Sequence, residues 1–386
     1  MHSGGMAVNM NEIRVGIIGF GFMGKTHTYG YKTIPLYYTN LPFKIKLVGV
    51  CDAVPEVAQH AKESLDFEFA TSNPDDIFSR EDIDVIDVCT PNIYHKEAVL
   101  KALKAGKNVY CDKPLAVSYE ETKEITSVLG QYDRITQMAL QYRFFPATMR
   151  AKELIEEGKI GKIMSFRSSY LHSGSVDPNK AIGWKQEKKF GGGGVLFDLG
   201  SHVLDIMYYL LGEYSSIFVE TKIIYPERPD KKGNMVKIEA DDVAFMVVKM
   251  KNGGIGTIEA SKVATGTNDE LRFEIHGDKG AIRFNLMEPN WLEYYDNTEA
   301  DAHYGGVKGY TKIECVQRFK KPGGDFPSSK FSIGWIRSHV HSLYSFLSCV
   351  YEKRQASPSF KEGAYIQYVM EKAYESDQQK AWIKLE

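Results

Sequence analysis

Short apolar runs alternate with helix-forming stretches over residues 11–135. The apolar runs lie at residues 15–18, 45–50, 85–89, 108–111 and 135–140. The clearest helical stretch covers residues 95–105 and is followed by Gly106, a residue type that commonly ends helices. Because short apolar strands that alternate with helices form parallel sheets, this pattern predicts an α/β domain with a doubly wound parallel sheet.

Beyond residue 135 the pattern changes to a series of strand-like runs. They lie at residues 163–172, 217–225, 244–250, 254–263, 271–276, 281–286 and 291–295. Asn252-Gly253 and the turn at residues 277–280 are typical of β-hairpins. Helices are predicted at residues 147–158, 201–211, 338–352 and 362–379. The sequence therefore predicts a second domain of the α+β class over residues 136–386, with a large open antiparallel sheet.

One strand of this second sheet is apolar on nearly both sides. Met246, Val248 and Met250 share one face, whereas Phe245 and Val247 share the other. A strand of this kind, with helices on one face only, predicts a homodimer or homotetramer that forms through the open face. The alternative is a central strand that the closing helices and long loops cover.

Composition narrows the class of protein. The 386 residues are 43% hydrophobic and 25% charged, with a net charge of -2, which gives no support for binding to nucleic acid or to a membrane surface. No apolar run approaches the ~20 residues that span a bilayer, and residues 1–5 lack the apolar core of a secretory signal. Five scattered cysteines predict a reducing, cytoplasmic setting, and no histidine has the spacing of a metal ligand.

The first apolar run leads into a glycine-rich turn. Its residues are Gly19, Phe20, Gly21, Phe22, Met23 and Gly24. In a strand–turn–helix unit, Gly19 makes the tight turn, Gly21 lets a pyrophosphate approach, and Gly24 lets helix and strand pack closely. The phosphates bind the helix N-terminus, where backbone N–H groups are unpaired. We therefore expect a Rossmann domain that binds a nicotinamide cofactor, although a glycine turn without a ligand remains the alternative.

Asp52 follows the second apolar run and favours NAD over NADP. A carboxylate at this strand end accepts hydrogen bonds from the adenosine ribose and repels a 2′-phosphate. The stretch between the glycines and Asp52 is longer than the usual ~20 residues, which predicts a lengthened helix–strand connection. The alternative for Asp52 is a solvated loop carboxylate.

Polar residues follow the fourth and fifth predicted strands, where ligands of doubly wound sheets bind. Thr90, Pro91 and Asn92 are predicted to lie along the cofactor, and His95 is assigned to the same set. Lys113 is expected beside the nicotinamide ring, where burial lowers a lysine pKa and lets the side chain exchange protons. The alternative for Lys113 is a surface lysine at a strand end.

A second cluster follows four consecutive glycines at residues 191–194. Asp198, His202 and Asp205 come next, and a helix that starts near residue 200 would place His202 and Asp205 on one face. A single histidine in such a position is often a hydrogen-bonded core residue. The nearby carboxylates and glycines favour a functional site instead.

These motifs resemble those of the Gfo/Idh/MocA oxidoreductases. The resemblance runs from Arg14 over nearly the whole chain. It rests on residues 19–24, on Asp112-Lys113-Pro114, on residues 141–144 and 192–194, and on the spacing of Asp198, Gly200, His202 and Asp205. The family usually has Glu in place of Asp112. The expected architecture, a Rossmann domain followed by an open sheet, agrees with the family.

The resemblance also implies roles for individual residues. Lys113, Asp198 and His202 match the catalytic positions, and the peptide bond before Pro114 is cis in many members. Either Lys113 or His202 would take the proton of a sugar hydroxyl as hydride moves to nicotinamide. The expected substrate-binding residues, besides Asp198 and His202, are Tyr142, Arg143, Tyr170, Trp184 and Lys185, with His172 a weaker candidate.

The leading interpretation is an NAD-dependent dehydrogenase that oxidises a secondary hydroxyl of a sugar, glycoside or cyclitol. Lys185 stands where many relatives have Arg, and the lost bidentate donor disfavours an anionic substrate. One alternative is a glycosidase that retains NAD and oxidises its substrate transiently. Another is an NAD-binding sensor without catalysis, which the intact Lys113, Asp198 and His202 disfavour. The sequence does not identify the sugar, the oxidised carbon or the direction.

Overall fold

The computed structural model describes residues 11–316 and 321–386; residues 1–5, expected to lack a signal, lie outside this part. The first sheet has strands β1 (Asn11–Ile18), β2 (Phe43–Cys51), β3 (Phe69–Thr71), β4 (Val85–Val88), β5 (Asn108–Cys111) and β6 (Thr136–Met138). Its helices are α1 (Phe22–Tyr37), α2 (Pro55–Leu65), α3 (Pro74–Phe78), α4 (His95–Lys104) and α5 (Tyr119–Val128). The strands pair in parallel in the order β3-β2-β1-β4-β5-β6.

This arrangement confirms the predicted doubly wound sheet. Every residue of β4 is buried, as expected for a strand covered by helices on both faces. Gly106 follows α4 with a φ of 73°, a left-handed conformation that suits glycine at a helix end. Ser118 begins α5 by accepting a hydrogen bond from the backbone N–H of Glu121. The sheet continues to β6 and so extends beyond the predicted boundary at residue 135.

The second sheet has nine strands and a small hairpin beside it. The strands of the sheet are β7 (Ile163–Leu171), β8 (Tyr214–Lys222), β11 (Val243–Met250), β12 (Ile255–Ser261), β13 (Glu270–Gly277), β14 (Gly280–Asn285), β15 (Trp291–Asp296), β16 (Thr311–Glu314) and β17 (Ile383–Lys384). The hairpin pairs β9 (Glu227–Pro229) with β10 (Met235–Lys237). The remaining helices are α6 (Pro146–Glu156), α7 (Lys188–Gly191), α8 (Ser201–Leu211), α9 (Trp335–Glu352) and α10 (Phe360–Gln379).

The second sheet is mostly antiparallel, as predicted, and it contains one parallel pair that was not predicted. The strand order is β16-β15-β14-β13-β7-β12-β11-β8-β17, and β7 pairs with β12 in parallel. The chain leaves β7 through α7 and α8 before it returns to the sheet, so β7 receives neighbours that come much later in the sequence. Strand patterns along the chain carry no information about such distant pairing.

The two closing helices pack against different domains. Val369, Met370 and Ala373 of α10 join the apolar core that α8 forms with the second sheet. By contrast, α9 returns to the first domain, where Leu343 packs among residues of the Rossmann core. A Cβ atom added at Gly30 of α1 would lie 2.5 Å from Leu343, so Gly30 allows the two helices to approach closely.

The predicted division of β11 into two faces is confirmed. Met246, Val248 and Met250 are buried in the core, whereas Phe245 is 55% exposed. The closing helices therefore leave the other face of this strand uncovered. The homodimer or homotetramer that we expect through this face stays a prediction.

One described helical segment, Lys188–Leu211, is long and apolar enough to cross a membrane by length and composition alone. It has 24 residues and a mean hydropathy of 1.2 in its most apolar window, and 83% of that window is buried inside the protein. This segment includes α7, the glycines at residues 191–194 and α8, and most of its apolar window lies inside the protein. A core helix of a globular protein has the same properties.

Candidate active site

The glycine-rich turn between β1 and α1 has the geometry that a pyrophosphate requires. Gly19 has a φ of 92°, and a Cβ atom there would lie 2.7 Å from the carbonyl group of Cys89. At Gly24 a Cβ atom would lie 2.2 Å from the carbonyl oxygen of Gly19. At Gly21, no described atom other than those of the residue itself and its two chain neighbours lies within 4 Å of such a Cβ position. Gly19 and Gly24 therefore allow tight packing, whereas Gly21 leaves open space beside the N-terminus of α1.

Asp52 is fixed at the edge of this turn. Its Oδ2 accepts a hydrogen bond of 2.8 Å from the backbone N–H of Phe20, and its Oδ1 accepts one of 2.9 Å from Val54. Both bonds come from backbone groups next to the strand end, so the carboxylate has a defined orientation. Asp52 also lines the cleft described next. This position suits a residue that contacts the adenosine ribose.

A cleft of about 1030 Å³ runs along the carboxyl ends of the first sheet to the second domain. Of the predicted site residues, it is lined by Gly19, Gly21, Phe22, Met23, Asp52, Thr90, Pro91, Asn92, Lys113, Tyr142, Tyr170, Trp184, Lys185, Asp198 and His202. His172, the weaker candidate, lines it too. The structure therefore brings together residues that lie far apart in the sequence.

His95 does not line the cleft but connects two of its loops. Its Nδ1 lies 2.8 Å from the carbonyl oxygen of Pro114, and its Nε2 lies 2.8 Å from that of Thr90. Burial lowers the pKa of His95, and a neutral imidazole can donate only one of these two bonds at a time. His95 thus positions the loops that carry Thr90 and Lys113, and its assignment to the cofactor-binding residues stays a prediction.

Lys113 follows β5 and reaches across to the second domain. Its Nζ donates to the backbone oxygen of Asp198 at 2.7 Å and to Oδ1 of Asp198 at 2.9 Å. Burial lowers the pKa of Lys113, although the carboxylate of Asp198 opposes this effect. The Lys113–Pro114 peptide bond is cis, as the family resemblance implies.

Asp198 is the centre of a cluster of three lysines. Besides Lys113, its Oδ1 accepts a hydrogen bond from Lys185 at 2.7 Å, and its Oδ2 lies 3.2 Å from Nζ of Lys262. Burial raises the pKa of Asp198, but the three ammonium groups outweigh burial and hold that pKa well below its usual value. Sequence reasoning missed Lys262, because a lysine just after β12 has no local motif.

Asp198 and His202 owe their orientation to one local irregularity. Asp198 lies in a single π-helical turn, Leu196–Gly200, that leads directly into α8. Turns of this type are often found at functional sites because they change the direction of side chains. Gly194 precedes this turn, and a Cβ atom there would lie 2.2 Å from the backbone of Asp241. This close approach explains one of the four consecutive glycines.

His202 is a buried, neutral base. Its ring packs edge-to-face against Tyr142 and Tyr170, with centroid distances of 4.8 and 5.8 Å. Burial, and next the charge of Lys113, lower the pKa of His202 well below its usual value. Within the described part of the chain, its buried Nδ1 has no hydrogen-bond partner. Because this Nδ1 is buried, only the other ring nitrogen, Nε2, can meet a ligand in the cleft that His202 lines.

Arg143 does not contribute to the cleft, which corrects its assignment as a substrate-binding residue. Its guanidinium donates to both carboxylate oxygens of Asp205, at 2.9 and 2.5 Å, and to Glu362 at 2.6 Å. Only 4% of the Arg143 side chain is exposed. Asp205, predicted to share a face with His202, is occupied by this ion pair. The pair is structural and joins α8 to α10.

A possible ligand group for a metal also lies near the glycine-rich turn. His27, Asp87 and Cys89 place their ligand atoms within 4.8 Å of one another in a buried setting. His27 Nδ1 lies 3.0 Å from Asp87, and Tyr31 donates to the same carboxylate at 2.9 Å. These contacts form a hydrogen-bonded network. The absence of a metal site stays a prediction.

Two family models match the chain. An oxidoreductase-family model for an NAD-binding Rossmann fold matches residues 13–140, and a model for the family's C-terminal alpha/beta domain matches residues 152–385. The chain belongs to the Gfo/Idh/MocA oxidoreductase family. The sequence resemblance is thereby confirmed, and with it the Rossmann domain and the oxidoreductase class.

Similar proteins include enzymes named for sugar substrates. Levoglucosan dehydrogenase of Pseudarthrobacter phenanthrenivorans is 32% identical, over 97% of this chain and 98% of that protein. A solved levoglucosan dehydrogenase in complex with NADH and levoglucosan is 31% identical, with a TM-score of 0.91 over 97% of this chain and 100% of that one. The 2,7-anhydro-N-acetylneuraminate hydratase of Mediterraneibacter gnavus is 25% identical, over 82% of each chain.

Proposed function

We propose that this protein is an NAD-dependent dehydrogenase that oxidises a secondary hydroxyl of a sugar, glycoside or cyclitol. One observation carries the proposal: a neutral His202 lies beside the Lys113–Asp198 pair in the same cleft as the glycine-rich turn. When bound, NAD supplies the hydride acceptor for the alcohol carbon. The protein must then bind the alcohol, take its proton and stabilise negative charge on its oxygen.

The residues of the first domain fit a nicotinamide dinucleotide. The open space at Gly21 and the N-terminus of α1 suit the pyrophosphate, and Thr90, Pro91 and Asn92 line the path from there to Lys113. Asp52 supports NAD as the preferred cofactor, because its fixed carboxylate would repel a 2′-phosphate.

His202 is the better candidate for the proton acceptor. Lys113 already donates two hydrogen bonds to Asp198, and an ammonium group has no lone pair to accept a proton. The low pKa of His202 keeps its imidazole neutral at physiological pH. We therefore assign proton abstraction to His202 and stabilisation of the developing alkoxide to Lys113. Asp198 holds Lys113 and Lys185 in place.

A neutral polyol is the substrate class that the cleft favours. Tyr142, Tyr170 and Trp184 supply aromatic surface and polar edges, as sugar rings require. Lys185 pairs with Asp198 and lacks the planar donor fork of an arginine, which makes it a weaker partner for a substrate carboxylate. Similarity to levoglucosan dehydrogenase over almost the whole chain makes levoglucosan the first substrate to test.

The test is a panel of sugars, glycosides, inositols and levoglucosan, each incubated with NAD and with NADP. The absorbance of the reduced cofactor measures the reaction. A dehydrogenase produces NADH in proportion to the substrate consumed. Product without net NADH would favour the alternative of a glycosidase that retains NAD and oxidises its substrate transiently. Binding of NAD without conversion of any substrate would support a sensor and overturn the proposal.

Two further points belong to the proposal. The uncovered face of the second sheet supports assembly into a homodimer or homotetramer, and a monomer in size-exclusion chromatography at micromolar concentration would contradict it. All five cysteines are buried and free, which supports a reducing compartment such as the cytoplasm.

A further inference from the structure

Part of the cleft wall is a continuous chain of hydrogen bonds that sequence reasoning did not identify. Trp335 Nε1 donates to the hydroxyl of Tyr142 at 3.1 Å, and the hydroxyls of Tyr142 and Tyr170 lie 2.5 Å apart. Tyr170 donates to Oδ1 of Asp269 at 2.6 Å, and Nε2 of His172 lies 2.9 Å from the same oxygen. All five side chains line the cleft.

Counting hydrogens fixes the direction of this chain. Tyr170 has one hydroxyl hydrogen and gives it to Asp269, so Tyr142 must be the donor between the two tyrosines. The hydroxyl of Tyr142 in turn accepts from Trp335. Burial raises the pKa of both tyrosines, so both remain protonated. Each hydroxyl thus keeps one lone pair and has no hydrogen left to donate.

Asp269 ends the chain with one carboxylate oxygen still available. Its Oδ1 receives both contacts, whereas its Oδ2 accepts no hydrogen bond from any residue in the described ranges 11–316 and 321–386. The side chain is 36% exposed and lies just before β13. A carboxylate that is held through one oxygen presents the other oxygen in a fixed direction. This arrangement suits a ligand that donates a hydrogen bond.

We propose that Asp269 is a substrate-binding residue that selects for a hydroxyl group other than the one being oxidised. Its Oδ2 accepts from that hydroxyl, and its Oδ1 keeps Tyr142 and Tyr170 oriented as acceptors. This inference rests on the proposed function, because it requires a polyhydroxylated substrate. An analogue that lacks the hydroxyl leaves the carboxylate without its donor, so the analogue binds more weakly.

The experiment combines a variant with altered ligands. Affinity for levoglucosan and for each of its monodeoxy derivatives is measured by calorimetry on the protein–NADH complex, for wild type and for Asp269→Asn. Because a hydrogen bond to a charged group is lost, we expect Asp269→Asn to weaken levoglucosan binding by about 10- to 100-fold. For one deoxy derivative the substitution should change little, since the partner hydroxyl is already absent.

Matched controls separate recognition from a loss of structure. Glu270→Gln alters the neighbouring carboxylate, which pairs with Arg272 at 3.1 Å and does not line the cleft, so binding should be unchanged. Asp269→Asn should raise KM with kcat nearly unaltered, since the residue does not contact the reacting atoms. Tyr170→Phe removes one donor to Asp269 and serves as a second variant. It should reduce affinity less than Asp269→Asn does, and its effect should depend on the same hydroxyl.

The outcomes distinguish this inference from the proposed function. Equal weakening of levoglucosan and of every deoxy derivative by Asp269→Asn would overturn the inference, even if wild type oxidises levoglucosan. If the effect of Asp269→Asn depends on one hydroxyl but no NADH is produced, the role of Asp269 in binding is supported and the dehydrogenase function is refuted. If wild type binds neither levoglucosan nor myo-inositol, the result counts against both the role of Asp269 and the proposed function.

Discussion

Replacement of Lys113 by methionine tests the proposed chemistry most directly. Methionine keeps the length and apolar part of the side chain but removes the ammonium group. In the variant, Asp198 loses donors at 2.7 and 2.9 Å but keeps Lys185 at 2.7 Å and Lys262 at 3.2 Å. The carboxylate therefore remains paired, and we expect the π-helical turn that carries it to keep its shape.

The main loss falls on the transition state. A single preorganised donor to a developing oxyanion contributes about 100- to 1000-fold in rate, which corresponds to about 3–4 kcal/mol. We expect Lys113→Met to lower kcat by this factor while NAD still binds, because the glycine-rich turn and Asp52 are untouched. Initial rates of NADH formation at saturating substrate give kcat, and quenching of protein fluorescence gives NAD affinity.

The control is Lys104→Met, which removes an exposed lysine from α4, outside the cleft. Its rate and its NAD affinity should match those of wild type. If Lys113→Met retains kcat within about threefold of wild type, Lys113 does not stabilise the alkoxide, and the role assigned to it is refuted. If the variant loses NAD binding instead, Lys113 acts in cofactor binding rather than in the chemical step.

Three further predictions follow from the same geometry. Asp52→Ala should lower the affinity for NAD about 10- to 100-fold and reduce the ratio of NAD affinity to NADP affinity, both measured by titration. An unaltered affinity for NAD would remove the basis for the predicted cofactor choice. Arg143→Met should lower the free energy of unfolding, measured by chemical denaturation, by about 3–5 kcal/mol, because Asp205 stays buried without its partner. The KM for substrate should equal that of wild type, because Arg143 lies outside the cleft. The rate of oxidation should stay level between about pH 8 and pH 6, because the lowered pKa of His202 keeps the base neutral where an ordinary histidine of pKa about 6.5 would gain a proton. A rate that halves near pH 6.5 in wild type would contradict the assignment of His202.

The sequence predicts those parts of the fold that depend on local periodicity. Helix α8 begins and ends at the predicted residues, and Gly106 follows α4 as expected. The mixed character of the second sheet escaped prediction, because β7 and β12 are brought together by a long connection. The apolar run at residues 135–140 is recognisable in the sequence, and the structure pairs its strand β6 with β5 of the first sheet.

The site shows the same division between local and distant information. Motif residues such as Gly19, Asp198 and His202 reach the cleft because their neighbours in sequence also position them. Arg143 sits next to Tyr142 in a motif, yet it turns into the core, where it pairs with the buried Asp205 and the partly buried Glu362. Lys262, Asp269 and Trp335 belong to no motif, and only folding places them in or beside the cleft.

The chemical groups of the site also hold the two domains in register. Lys113 comes from the first sheet and Asp198 from the second domain, and Asn92 likewise donates to the backbone oxygen of Gly191 at 2.9 Å. Opening the cleft widely would break the Lys113–Asp198 pair and the hydrogen bond from Asn92, so both contacts favour the closed arrangement. These contacts hold His202 and the loops that carry Asn92 and Lys113 at a fixed spacing. Such preorganisation is what a hydride transfer needs, because its rate falls steeply as donor and acceptor separate.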